Sequence, residues 1–255
     1  MDKDVLRELT TLRAEAAEAA AKHLVMAARL IDEDPDAAYE HAMAARRCGP
    51  RVGVIREAVG LAAYAAEKWT EALAELRAAR RISGNAEHWP VMADCERALD
   101  RPERTLAMAA DPEAKRLDRA GTVEMRIVVA GARADLGQLD AAVVTLQTPD
   151  LNETAVTDWL ARLRFAYAAA LEAVGRMEEA RLWFSRAADV DPEGDTPAAE
   201  RLLELDGVAF TETEVGDFEG GEQFEGGEQS EEDDGVVLEH SEAPGPAPAE
   251  GTHEA

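Results

Sequence analysis

Alanine or glycine returns at the same phase of one helix-forming run after another, and this limits the fold more than any other feature of the chain. Ala38 and Ala72 stand 34 positions apart. Gly60, Ala168 and Ala180 hold comparable places in their own runs. A residue without a sizeable side chain lets two helix backbones approach closely, so a recurring small residue marks a recurring helix crossing. The runs are also cut at short intervals by Asp34-Pro35, Gly49-Pro50, Gly84, Pro102, Asp111-Pro112, Gly137, Gly175 and Pro192. Links this short turn each helix back along its predecessor.

Residues 2–33 read as one helix, rich in Leu, Arg, Glu and Ala. Asp34 and Pro35 end it and cap the next, which runs to about Arg47. Further helices are expected at about 52–66, 69–82, 89–99 and from Pro102, with a short piece from Pro112. Others follow at about 122–136, 139–147, 152–174 and 176–190, and a last one ends near Leu205. The β-branched run Ile127-Val128-Val129 sits inside a helical period without turn residues around it, so no strand is expected. The fold class is all-α.

The clearest unit is Leu163 to Pro192. Ala168 and Leu171 lie on a first helix, Gly175 makes the turn, and Ala180, Phe184 and Ala187 lie on a second helix closed by Pro192. This unit resembles the tetratricopeptide repeat, in which a small residue on each helix meets at the crossing and an aromatic fills the gap beside it. Gly60, Ala72, Leu76, Ala79 and Gly84 fit the same frame, as do Ala38, Ala42, Ala45 and Pro50. Ala130, Gly137, Ala142 and Leu146 fit with an early break at Pro149, while Thr105 and Pro112 depart from the pattern. The alanine usage is similar to that of tetratricopeptide-like proteins of high-GC bacteria such as actinobacteria. The resemblance implies repeats at 19–52, 53–85, 86–122, 123–160 and 161–194 with a capping helix at 196–205. It also implies a right-handed superhelix of antiparallel helical hairpins. The first helices would then line a concave face through Leu24, Ala27, Glu57, Leu61, Val91, Asp94, Val128, Gly131, Ala166 and Ala169. The Lys, Asn and Arg clamp of members that grip C-terminal carboxylates has no counterpart at these positions.

Charge is unevenly spread over the chain. Of 53 Asp and Glu, 15 lie beyond Asp206, where there is no Lys or Arg. Residues 207–255, rich in Gly, Glu and Pro, are expected to form a disordered acidic tail. Phe210, Phe218 and Phe224 in it are either partner anchors or bystanders in a solubilising segment. Arg46, Arg47, Arg51, Arg56, Arg77, Arg80 and Arg81 form a basic strip. Several sit in last turns, where they offset the helix dipole. The strip would alternatively meet an acidic peptide or RNA phosphates, with the acidic tail as its gate. Leu61, Tyr64 and Trp89 join these arginines as candidate partner contacts.

The expected function is a non-enzymatic scaffold for a protein or peptide partner, with an RNA- or ribosome-associated factor as the alternative. No nucleophile with a base beside it and no phosphate loop occurs, and His23, His41 and His88 lie apart in sequence. The two cysteines, Cys48 and Cys95, make no disulfide framework. No cofactor, metal or membrane partner is expected. The acidic start, Met-Asp-Lys-Asp, has no apolar region of a secretory signal, and the expected location is cytoplasmic.

Overall fold

A computed structural model describes residues 3–154 and 156–207. The expected acidic tail and its gating of the arginine strip lie outside the described residues, apart from Gly207. Among the described residues every regular element is helical, and the fold is all-α. The helices are α1 (Lys3–Leu9), α2 (Ala14–Leu30), α3 (Pro35–Cys48), α4 (Gly53–Ala65), α5 (Trp69–Ser83) and α6 (Trp89–Ala98). They continue with α7 (Pro102–Ala110), α8 (Arg119–Asp135), α9 (Leu139–Leu146), α10 (Asp158–Ala173), α11 (Met177–Ala188) and α12 (Ala198–Leu205). Short 3₁₀ turns cover Pro112–Arg116 and Pro149–Asn152.

Side chains that satisfy free backbone groups set these boundaries. The Asp34 carboxylate accepts from the Ala37 N–H at 3.0 Å and starts α3, with Pro35 in the first turn. Asp118 does the same for α8 through the Gly121 N–H at 2.7 Å. One expected helix proves to be divided, and another starts late. The single helix expected over 2–33 breaks between α1 and α2, because Thr10 and Thr11 turn their hydroxyls back onto the carbonyls of Arg7 (2.6 Å) and Glu8 (2.7 Å). The helix expected from Asn152 begins only at Asp158. Arg164 explains the delay, since its guanidinium donates to the carbonyls of Leu151 (3.1 Å), Glu153 (2.8 Å) and Arg186 (2.9 Å). Carbonyls that would have entered a helical ladder are instead held by one side chain that also ties them to the end of α11.

Four helix-to-helix turns share one backbone pattern. In each, one residue is left-handed: Glu67 (φ 56°), Asp100 (φ 60°), Gly137 (φ 71°) and Gly175 (φ 79°). The next residue donates its N–H five positions back, Lys68 to Ala63 at 2.8 Å, Arg101 to Glu96 at 3.0 Å, Gln138 to Arg133 at 2.8 Å and Arg176 to Leu171 at 2.9 Å. This is the Schellman closure, which satisfies carbonyls that the helix end leaves free. Glycine adopts the left-handed conformation without strain, whereas an ordinary L residue pays roughly 1–2 kcal/mol there. Gly175→Ala is therefore expected to destabilise by about 1 kcal/mol. Asp100→Gly is expected to stabilise by a few tenths, because glycine's greater unfolded freedom offsets part of the relief. Urea unfolding of both variants measures the two shifts, and shifts of the same sign would contradict the strain argument.

Packing is between neighbours along the chain. The pairs α2/α3, α4/α5, α6/α7, α8/α9 and α10/α11 each pack closely, and α2/α4, α6/α8 and α8/α10 also touch. The buried side chains form successive clusters. One joins Leu9, Leu24 and Ile55, and the next joins Ala38, Ala42 and Val59. A third, with Leu76, Trp89 and Met92, covers α4 to α8, and the last is built around Leu163, Leu171 and Phe184. Ala168, Ala180 and Ala187 are fully buried, the first two in the Phe184 cluster. Thr105 occupies the crossing of α6 and α7, fully buried, with its hydroxyl donating to the Ala93 carbonyl at 2.8 Å. The hydroxyl is satisfied within the helix contact, so a polar residue serves where the other crossings use alanine. Past α11, the N–H groups of Val190 and Asp191 bond only three residues back, and Pro192 follows this loosened turn.

Candidate binding groove and arginine cluster

The first helices of the pairs, α2, α4, α6, α8 and α10, share a row of hollows. The largest, about 700 Å³, lies among α4, α6, α8 and α10 and is lined by Tyr64, His88, Val91, Asp94, Glu124 and Val128. It runs into a second hollow of about 540 Å³, which shares Tyr64, Asp94, Glu124 and Val128 with it. The second continues over Gly131, Phe165, Ala166 and Ala169, and is mostly apolar. A third, about 420 Å³ and also apolar, opens between α2 and α4 over Leu24, Ala27, Val54 and Leu61. Of the positions expected on a concave face, Leu24, Ala27, Leu61, Val91, Asp94, Val128, Gly131, Ala166 and Ala169 all line one of these hollows.

The middle of the groove is polar, and its polar groups are paired. The Tyr64 hydroxyl donates to Asp94 Oδ2 at 2.6 Å. Burial, and then the neighbouring Asp94 charge, raise the Tyr64 pKa, so the phenol stays a neutral donor. Arg97 Nε donates to the other Asp94 oxygen at 2.9 Å and reaches Asp135 at 3.3 Å. Arg162 grips Glu124 at 2.8 Å. The floor at Gly131 is open enough for Arg97, whose Nε would lie 3.3 Å from a Cβ there.

His88 Nε2 lies 3.0 Å from Glu57 Oε1. Burial pulls the His88 pKa down, but Glu57 outweighs it and holds the imidazole above its ordinary value. A histidine with a raised folded pKa contributes stability that is present below its unfolded pKa and is lost as pH rises through the folded value. The urea midpoint is therefore expected to fall as pH rises above about 6.5, the ordinary histidine value. For a half-exposed pair the change is about 0–1 kcal/mol. Glu57→Gln should flatten that slope, and an unchanged slope would show that another group carries it.

The arginines of the expected strip divide into two sets. Arg46 and Arg56 both reach Glu75, each at 2.7 Å, and Glu75 is 8% exposed. Arg77 reaches Glu96 at 2.6 Å, and Arg101 (3.4 Å) and Arg104 (3.7 Å) surround the same carboxylate, which is 1% exposed. Arg80 bonds Glu113 at 3.0 Å and lies over the Trp89 ring, 4.8 Å from its centre. Trp89 itself is buried and donates Nε1–H to the Met108 carbonyl at 2.9 Å. These four arginines tie neighbouring helices together through carboxylates that would be costly to bury alone. Arg47, Arg51 and Arg81 are exposed and make no ion pair among the described residues.

His23 and His41, distant in sequence, come together: their Nδ1 atoms are 3.0 Å apart across α2 and α3. The signal was available, because both stand nine residues from position 32, inside the turn that joins the two helices. The Cys95 thiol is pushed up to about 12 by burial and by Asp94 and Glu96, which removes it as a nucleophile at neutral pH. Among the described residues no group of three or more His, Cys, Asp or Glu could hold a metal ion. No described helix is long and apolar enough to cross a membrane. No protein-family model matches the chain, and no curated protein matches it.

Proposed function

We propose that the chain is a non-enzymatic helical-repeat scaffold of the tetratricopeptide type that holds an extended segment of a cytoplasmic protein partner along its first helices. In this reading the hairpins stack as a right-handed superhelix, with the acidic residues beyond Asp206 as a disordered tail. The observation that carries the reading is the row of hollows along α2, α4, α6, α8 and α10, apolar at both ends and polar in the middle. The repeated Schellman turns, and packing mostly within and between adjacent hairpins, support its repeat character. An extended peptide suits such a groove, with apolar side chains at each end and main-chain polar groups over Tyr64, Asp94 and Glu124. The internal pairing of Arg46, Arg56, Arg77 and Arg80 favours this over the RNA-associated alternative, which keeps only Arg47, Arg51 and Arg81.

A photo-crosslinking residue at Val91, Val128 or Ala166 is expected to capture a protein in its native cell. The same probe at Leu182, an exposed position on α11, should not. Capture that resists ribonuclease and moderate salt supports the reading. Capture only from positions 47, 51 and 81, lost on ribonuclease treatment, would replace it with the RNA alternative.

A further inference from the structure

We infer that α1 is a resident plug at the α2/α4 end of the groove, and that the partner segment displacing it repeats its chemistry: a short helical stretch pairing apolar residues with an acid, as Val5, Glu8 and Leu9 do. The inference rests on the groove reading above and adds what this end of the groove accepts. α1 packs against both α2 and α4. Leu9 is 2% exposed in one cluster with Leu24 and Ile55, and Val5, Val54 and Ala58 pack against that cluster. Between Val5 and Leu9, the Glu8 carboxylate accepts from the Val54 N–H at 2.9 Å, a group that the first turn of α4 leaves free. Gly53 keeps the approach open, since a Cβ there would lie 3.1 Å from Glu8 Oε2.

The seat of α1 and the open hollow between α2 and α4 are one valley. Val5 stands on the wall of that hollow, and Leu24, Val54 and Ala58 belong to both. The hollow, about 420 Å³ and walled further on by Ala27, Ile31, Leu61 and Ala62, is apolar space that α1 leaves unfilled. Two features make α1 displaceable. At 7 residues it is too short to hold a helix by itself, so its order comes from the seat. A turn at residues 10–13 separates it from α2, so it leaves without unwinding its neighbour. Tethering gives α1 an effective concentration on the order of millimolar, which keeps weak ligands out. A partner segment that offers the Val54 N–H the same acid, and the hollow one more large apolar side chain, binds better than α1 does. The plug thereby sets an affinity threshold and restricts this end of the groove to apolar–acidic segments.

The test uses the full chain and, as probe, a fluorescein-labelled peptide with the sequence of residues 3–12. Glu8→Ala in the chain removes the bond that holds α1, and should raise the affinity for the peptide about tenfold by freeing the seat. The peptide with its own glutamate replaced by alanine should not bind. Ala58→Arg, added to the Glu8→Ala chain, should abolish binding by filling the seat. NMR of the unaltered chain needs no variant: excess peptide should shift the amide signals of α1 and those around Leu24, Val54 and Ala58. Equal affinity of the two chains, no binding to either, or binding that tolerates Ala58→Arg or the alanine peptide would overturn the plug. Crosslinking at Val91, Val128 and Ala166 keeps the two readings apart. Capture there without peptide exchange refutes the plug and leaves the groove, whereas peptide exchange without capture refutes the groove and leaves the α2/α4 seat.

Discussion

Phe184→Ala is expected to lower the unfolding free energy by about 3–5 kcal/mol, the usual cost of deleting a fully buried aromatic ring. Phe184 is 1% exposed on α11 and meets Phe165 of α10 with ring centres 5.5 Å apart and planes inclined at 55°. Its cluster includes Ala168 and Ala180, fully buried and without rotatable side chains that could close over a cavity. Leu163 and Leu171 are fully buried in the same cluster and have no room to swing. A site that cannot collapse falls in the upper part of the range, because the cavity adds to the lost transfer energy. Urea titration of the full chain measures the loss, and a change below about 1 kcal/mol would mean the ring is not the keystone of this hairpin. Hydrogen exchange adds a second readout. If stability passes only between neighbours, amides of α10 and α11 should lose protection well before those of α2 and α3.

The helical class, most boundaries and the face that carries the hollows were legible in the sequence, for physical reasons that particular residues show. Asp34-Pro35 and Gly175 act locally, through a cap and a left-handed turn, so the sequence alone marks them. The breaks at 10–13 and 153–157 were not legible. The first depends on two threonine hydroxyls bonding to carbonyls, and the second on Arg164, which reaches back from within α10. Glu67 and Asp100 do the work of Gly137 and Gly175, but an acidic residue does not advertise a left-handed turn. The arginine strip read as one surface because its residues share a charge and a spacing. Only the fold shows that Glu75 and Glu96 are buried under it, since an isolated acid in a helix looks the same whether it faces solvent or an arginine pair. The histidine pair belongs to the same class: it needs the hairpin register as well as the residues.

At Gly60 the helices α4 and α5 approach closely, and enlarging it is expected to cost more than a surface view of helix propensity suggests. In an open helix, Gly→Ala stabilises by about 1 kcal/mol. Here a Cβ on residue 60 would lie 2.6 Å from both Cγ and Cδ2 of Leu76 and 3.1 Å from the Leu76 backbone nitrogen. Leu76 is 1% exposed in the α5 core, so its side chain has no free space to turn into, and the nitrogen belongs to a helix backbone. Gly60→Ala should therefore lose its propensity gain and end destabilised by about 1 kcal/mol. Gly60→Leu should lose about 3 kcal/mol, the upper part of the overpacking range. A double-mutant cycle separates this clash from a backbone effect. Leu76→Ala alone removes a buried side chain and should cost about 2–5 kcal/mol. In the Gly60→Ala background it should cost less, because it also relieves the contact, and residues in contact typically couple by about 0.5–3 kcal/mol. Strict additivity would mean that the added methyl finds room elsewhere and that α4 and α5 are not pinned at this point. A positive coupling would instead identify the Gly60–Leu76 contact as the reason a glycine stands in the middle of α4, where propensity alone would place alanine.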